Sequence, residues 1–174
     1  MKEGVDRIGA AEVKAMAARA HQDMDLREEL FDNMLHREGR EARNAAWVLT
    51  HLPVSDNQHI SLHRDALVQM ALTTADTSQR RLTLALLERL TWDIGDVRTD
   101  LLDFCLEHMM LPDEPYGVKS LCIKLSYQQC RHYPELQEEL RQALLLLEPS
   151  ELGAGVRHTR KKILDQIKNT TKRH

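Results

Sequence analysis

Residues 113–125, DEPYGVKSLCIKL, and residues 151–163, ELGAGVRHTRKKI, decide the fold. Each opens on an acid, Asp113 or Glu151. Each then places a Val and a base together (Val118-Lys119, Val156-Arg157) and a large aliphatic one and a half turns later (Leu125, Ile163). Upstream, the same columns recur. Arg43, Arg81, Lys119 and Arg157 stand 38 residues apart, and Leu49 and Leu87 extend the aliphatic column. Glu38 and Asp76 extend the acidic column, and Ala42 and Arg80 hold the position before the base. The preceding segment repeats too, as Leu30, Val68, Leu106 and Leu144. A chain with 27 Leu produces some leucine coincidences, but the acidic and basic columns do not depend on leucine content.

Between turn signals at Gly39, Pro53, Asp76, Gly95, Pro112-Pro115, Pro134 and Pro149, apolar residues recur at three- and four-residue spacing, the helical period. Leu101, Leu102, Cys105, Leu106 and Met109 are one such set. This spacing predicts helices near 24–37, 40–52, 56–73, 78–91, 97–110, 115–132, 134–147 and 152–168, with a leading helix near 10–21. Ser55 with Gln58 reads as a capping box, and Pro115 and Pro134 suit a first helical turn. A 38-residue unit is two helices and two turns, which cannot bury its apolar face alone. Stacked copies bury a shared core, so the pattern must recur. The acid is expected to cap the second helix of each unit. The base one turn further in is expected to pair with an acid, making a ladder of alternating charge.

Composition agrees with an all-α chain. Apolar residues make up 42% and aromatics only 4%, and 27 Leu, 15 Ala and 7 Met outnumber 8 Val and 6 Ile. Such a balance favours helices over strands. The net charge of −3 excludes a polyanion binder by bulk charge, but it is unevenly spread. Residues 157–174 carry +6 and the remainder −9. No apolar leader opens the chain, and no apolar run approaches the roughly 18 residues a membrane span needs. A cytoplasmic protein without membrane contact is expected. Cys105, Cys122 and Cys130 are odd in number and lack CxxC spacing, so three buried or half-buried free thiols are expected.

On these columns the chain resembles the HEAT repeat family, and the armadillo-like superhelical proteins more broadly. Asp113…Val118-Lys119…Cys122…Leu125 and Glu151…Val156-Arg157…Ile163 follow that family's second helix. Glu38…Ala42-Arg43…Ala46…Leu49 follows it with a one-residue contraction, and Asp76…Arg80-Arg81…Leu84…Leu87 follows it least well. The resemblance implies a short right-handed α-solenoid of about four helix pairs. The expected layout is one domain, residues 1–174, with a capping segment 1–23, repeats over 24–167 and a basic tail 168–174.

In such a stack the second helices line a concave surface. Offsets +1, +4, +5 and +8 from the basic column are expected to face outward there. They include Trp47, Val48 and His51; Leu82, Leu86 and Arg89; Ile123, Lys124 and Tyr127; and Lys161. The candidate binding residues are Trp47, His51, Arg89, Lys124, Tyr127 and Lys161, an aromatic platform with basic rims. His59 and His63, with Asp56 nearby, share a helical face at i, i+4 as half of a metal site. No third ligand is evident from spacing, so no metal and no other cofactor is expected. Trp92-Asp93-Ile94-Gly95-Asp96 is similar to a stretch of the HEAT-like DNA alkylation-repair glycosylases, a resemblance that would give Trp92 and Asp96 roles at a damaged nucleotide. Read by itself, Gly95-Asp96 is a turn opening the next helix. The expected function is a non-enzymatic scaffold for a protein or peptide partner. The alternatives are a nucleic-acid-binding module related to those glycosylases and a regulatory subunit without activity of its own.

Overall fold

A computed structural model describes residues 8–172. Among these it has ten α-helices and no strand. Two compact units divide the chain, Met1–Leu90 and Thr91–His174.

The first unit contains α1 (Ala10–Gln22), α2 (Met24–His36), α3 (Gly39–Thr50), α4 (Asn57–Ser61), α5 (Arg64–Thr73) and α6 (Thr77–Glu88). Helix α2 pairs with α3 and α5 with α6, while α3 packs on α6 and α1 closes the end against α2 and α3. The Asp23 side chain caps α2 by accepting from the Leu26 amide, and Asp76 caps α6 by accepting from the Gln79 amide at 3.0 Å. Gly39 starts α3 at φ +63°, a left-handed conformation that a side chain would strain.

The second unit contains α7 (Thr99–Met109), α8 (Tyr116–Cys130), α9 (Pro134–Leu146) and α10 (Ala154–Lys172). Helix α7 pairs with α8 and α9 with α10, and α8 packs on α10. Pro134 occupies the first turn of α9, where its missing N–H costs nothing.

The second-helix aliphatic column is core throughout, while in the first-helix column Leu106 is only half-buried. Leu49, Leu87, Leu125 and Ile163 are all buried, as are Val68 and Leu144 of the first helices. Basic side chains lock the two helices of a pair together. Arg80 of α6 donates through Nε to the Ala71 carbonyl at the end of α5, and Arg160 of α10 donates to the Leu144 carbonyl of α9 at 2.9 Å. The Arg80 bond satisfies a last-turn carbonyl of α5, and the Arg160 bond adds to a Leu144 carbonyl that also accepts the Leu147 amide.

The structure differs from the sequence reading at four places. The helix expected over 56–73 is two helices, broken at Leu62-His63 and preceded by a 3-10 turn at Val54–Asp56. Ser55 and Gln58 form no capping box there; the Ser61 hydroxyl donates to the Gln58 carbonyl instead. Val48, Leu82, Leu86 and Ile123, placed outward by the column offsets, are buried. The charge ladder reduces to one rung, Arg43 to Asp76 at 2.6 Å. Within the second unit, Asp113 forms no ion pair with Lys119 and Glu151 none with Arg157. Trp92 is fully buried. Asp96 closes a 3-10 turn at Ile94–Asp96 through reciprocal bonds with Asp93, so neither residue is presented to a nucleotide.

The expected free thiols are present, with Cys105, Cys122 and Cys130 all buried. The Cys122 thiol and then burial push Cys105 well above its ordinary pKa. Burial, with Glu139 nearby, pushes Cys130 up to about 12. Both are protonated and unreactive at neutral pH. No described helix is long and apolar enough to cross a membrane.

Candidate binding groove and polar cluster

Helices α3 and α6 run side by side, and their exposed edges leave a groove of about 430 Å³. Arg40, Arg43, Asn44 and Trp47 come from α3; Ser78, Arg81 and Leu82 come from α6. Helical spacing explains this grouping, because positions 40, 43, 44 and 47 lie on one stripe and 78, 81 and 82 on another. The lining combines three guanidinium groups with an indole face. Trp47 is half-buried, so part of its ring remains available. The Trp47 ring meets His51 edge-on, centroids 6.3 Å apart, and the His51 Nδ1 bonds to the Trp47 carbonyl at 3.0 Å. Arg43 is anchored by Asp76. Partial burial pushes the Asp76 carboxyl up, but the Gln79 amide and the Arg43 guanidinium outweigh it and hold the pKa below the ordinary value. Arg81 is exposed on the opposite wall.

The six candidate residues from the sequence do not form one cluster. Trp47 and His51 sit together at the end of α3. Arg89 lies near them but serves the fold. Its guanidinium donates to the Thr50 and Pro53 carbonyls at 3.1 Å each and to Asn57 Oδ1 at 2.7 Å. The Asn57 side chain returns a bond to the Arg89 carbonyl. This clamp fixes the chain between α3 and α4, which removes Arg89 from the free basic rim. Lys124, Tyr127 and Lys161 belong to the second unit. Lys124 and Tyr127 are half-buried on α8, with the Tyr127 hydroxyl 3.5 Å from Thr170 Oγ1, and Lys161 is exposed on α10. Arg40 and Arg81 were not among the candidates. Arg81 marked the repeat column, and only the α3–α6 pairing shows that it faces Trp47 across a groove.

A second polar cluster joins α1, α2 and the α4–α5 segment. Arg27 is buried in α2 and donates to the Ala20 and His21 carbonyls at 3.0 and 2.8 Å, and through Nε to His59 Nδ1 at 2.9 Å. His21 donates to Asp56 Oδ2 at 2.8 Å, and Asp56 Oδ1 lies 3.7 Å from Arg27. Glu28, the neighbour of Arg27, receives both histidines of the i, i+4 pair. His63 Nε2 donates to Glu28 Oε1 at 3.0 Å, and His59 Nε2 contacts the same oxygen. The His63 and then the His59 hydrogen bonds lower the Glu28 pKa, against a small opposing effect of burial. The carboxylate is therefore ionised at neutral pH.

A family model for the HEAT repeat domain matches residues 2–167. Comparisons with curated proteins and with solved structures give no match. The helix pairs, the 38-residue columns and the clamped pair ends account for that match in physical terms, and the chain belongs to the HEAT repeat family.

Proposed function

We propose that the chain is a non-enzymatic HEAT-repeat scaffold module that holds a protein partner by an acidic peptide segment in the α3–α6 groove. The observation that carries this reading is the composition of the groove wall. Arg43 and Arg81 bring guanidinium groups whose planar fork suits carboxylates, Arg40 lines the same wall, and Trp47 offers a flat apolar contact beside them. Aromatic and arginine side chains are the usual energetic anchors of protein interfaces. Asp76 pairs with Arg43 at the groove edge. HEAT repeats commonly mediate protein interactions, which supports the same class. A regulatory subunit would use this surface in the same way.

The nucleic-acid alternative loses its specific residues, because Trp92 is buried and Asp96 is spent on a turn. Its general basis remains the +6 segment 157–174, of which Arg173 and His174 lie outside the described residues.

The test is fluorescence anisotropy with labelled acidic and basic peptide libraries and with duplex DNA, on the wild type, Trp47→Ala, Arg81→Glu and a chain lacking residues 168–174. Acidic peptides should bind, and each groove variant should weaken binding about tenfold or more, the range for a hot-spot residue. DNA should bind weakly, only with the tail present, and should be released by modest salt. Submicromolar DNA binding by the tail-deleted chain at physiological salt would overturn the reading. So would acidic-peptide binding that both groove variants leave intact.

A further inference from the structure

We propose that Glu28, His59 and His63 form a binding site for a divalent transition-metal ion, with Zn²⁺ the best fit. The three side chains offer one carboxylate oxygen and two imidazole nitrogens, all within 4.8 Å of one another. Three ligands about 2.0–2.2 Å from a tetrahedral Zn²⁺ stand roughly 3.3 Å apart, and the His63 Nε2 to Glu28 Oε1 separation of 3.0 Å is close to that. Imidazole with carboxylate suits zinc and its neighbours rather than calcium or magnesium, which take oxygen ligands.

The site is prearranged by packing. His63 stacks on Phe31, centroids 4.0 Å apart and planes 18° apart, and Phe31 is itself buried. In the metal-free arrangement the His59 Nδ1 accepts from the Arg27 Nε–H, a bond that metal binding must displace. The two histidines are only 13% and 23% exposed, whereas Glu28 is 49% exposed and opens the cup to solvent. An ion could enter from that side and keep water on its fourth position. The break between α4 and α5 at Leu62-His63 lies between the two histidine ligands, so the irregular backbone falls at the site.

Metal binding requires both Nε2 atoms to give up their hydrogens. For His63 the proton moves to Nδ1, which makes no hydrogen bond among the described residues, and the Nε2–H donation to Glu28 Oε1 is exchanged for the bond to the metal. For His59 the proton also moves to Nδ1. The Arg27 Nε–H that now points there must then turn away. Asp56 Oδ1 lies 3.7 Å from Nη1 of the same Arg27 side chain. The Arg27 rearrangement makes this site weaker than one whose histidines already donate to a carboxylate.

The experiment uses the full chain, made without a histidine tag and stripped with a chelator. Zn²⁺ is titrated by calorimetry, and Co²⁺ is followed by its visible absorption. The expected result is one ion per chain with Kd below about 100 µM, corresponding to roughly −5.5 kcal/mol. The melting temperature should rise with Zn²⁺ and fall again with chelator. Glu28→Gln and His63→Gln should each weaken binding at least tenfold, while His51→Gln should not. Glu28 is half exposed, so Glu28→Gln keeps the test valid should His63→Gln fail to fold. Binding weaker than 100 µM, or binding that Glu28→Gln leaves unchanged, would overturn the site.

Discussion

The two units solve the same packing problem with different materials. In the first, charged and polar side chains link residues far apart in sequence. His21–Asp56, Arg43–Asp76, His59–Glu28 and His63–Glu28 span 31 to 35 positions, about one repeat. In the second, the corresponding pairs are local. Arg98–Asp100, Arg141–Glu138 and His108–Glu114 span 2, 3 and 6 positions. There, Cys105, Cys122, Met109 and Ile123 are fully buried between the helices instead. Hydrophobic contact is non-directional and tolerates small slips between repeats. A hydrogen-bonded ion pair does not. The first unit therefore has its register specified by long-range ion pairs, whereas the second combines shape with hydrogen bonds that are not ion pairs, such as Arg98 N–H to Gln129 Oε1 and Arg131 to the Trp92 carbonyl.

Three comparisons test this contrast. The largest effect should be common to both units. Leu49→Ala and Leu125→Ala remove equivalent buried side chains, and each should cost about 2–5 kcal/mol in urea unfolding. A small cost for one alone would break the equivalence of the columns. The next separates the units. Asp56→Ala strips the partner of His21 and leaves Arg27 less well compensated, which should cost about 1–3 kcal/mol. Asp100→Ala removes only a local, half-exposed pair and should stay within about 0.5 kcal/mol. Equal losses would show that the long-range pairs contribute nothing special.

The last comparison concerns the single rung. Asp76→Ala loses a helix cap and the Arg43 contact, worth about 0.5–2 kcal/mol at pH 7. The folded pKa of Asp76 lies below its ordinary value, so its contribution is complete above that value and disappears as pH falls through the folded pKa. The gap between wild type and Asp76→Ala should accordingly shrink between pH 5 and pH 3, measured by urea midpoints. A constant gap would assign the effect to something other than the charged carboxylate.

The core was readable from the sequence because burial follows the helical period. Leu49, Leu87, Leu125 and Ile163 needed only the column. The outward face was less readable. Each residue turns a helix by about 100°, so a small roll of the packed helix moved Val48 and Leu86 inward while Trp47 stayed half exposed. Neither the groove nor the Glu28 cluster has a local signal. Arg81 meets Trp47, and Glu28 meets His59 and His63, only because repeats stack with a one-unit offset. The i, i+4 histidines were visible, but their carboxylate lies a repeat away. The break at Leu62-His63 had no Gly or Pro to announce it.

The unequal burial of the two tryptophans has an optical consequence. Trp47 belongs to the first unit and Trp92 to the second, so each unit carries one tryptophan. Trp47 is half wet and walled by arginines, so its emission is red-shifted and aqueous iodide, drawn in by the guanidinium groups, quenches it. Trp92 is sealed from solvent, so it emits to the blue and is dark to the same quencher. One unlabelled sample read at two wavelengths therefore reports the two halves of the chain separately.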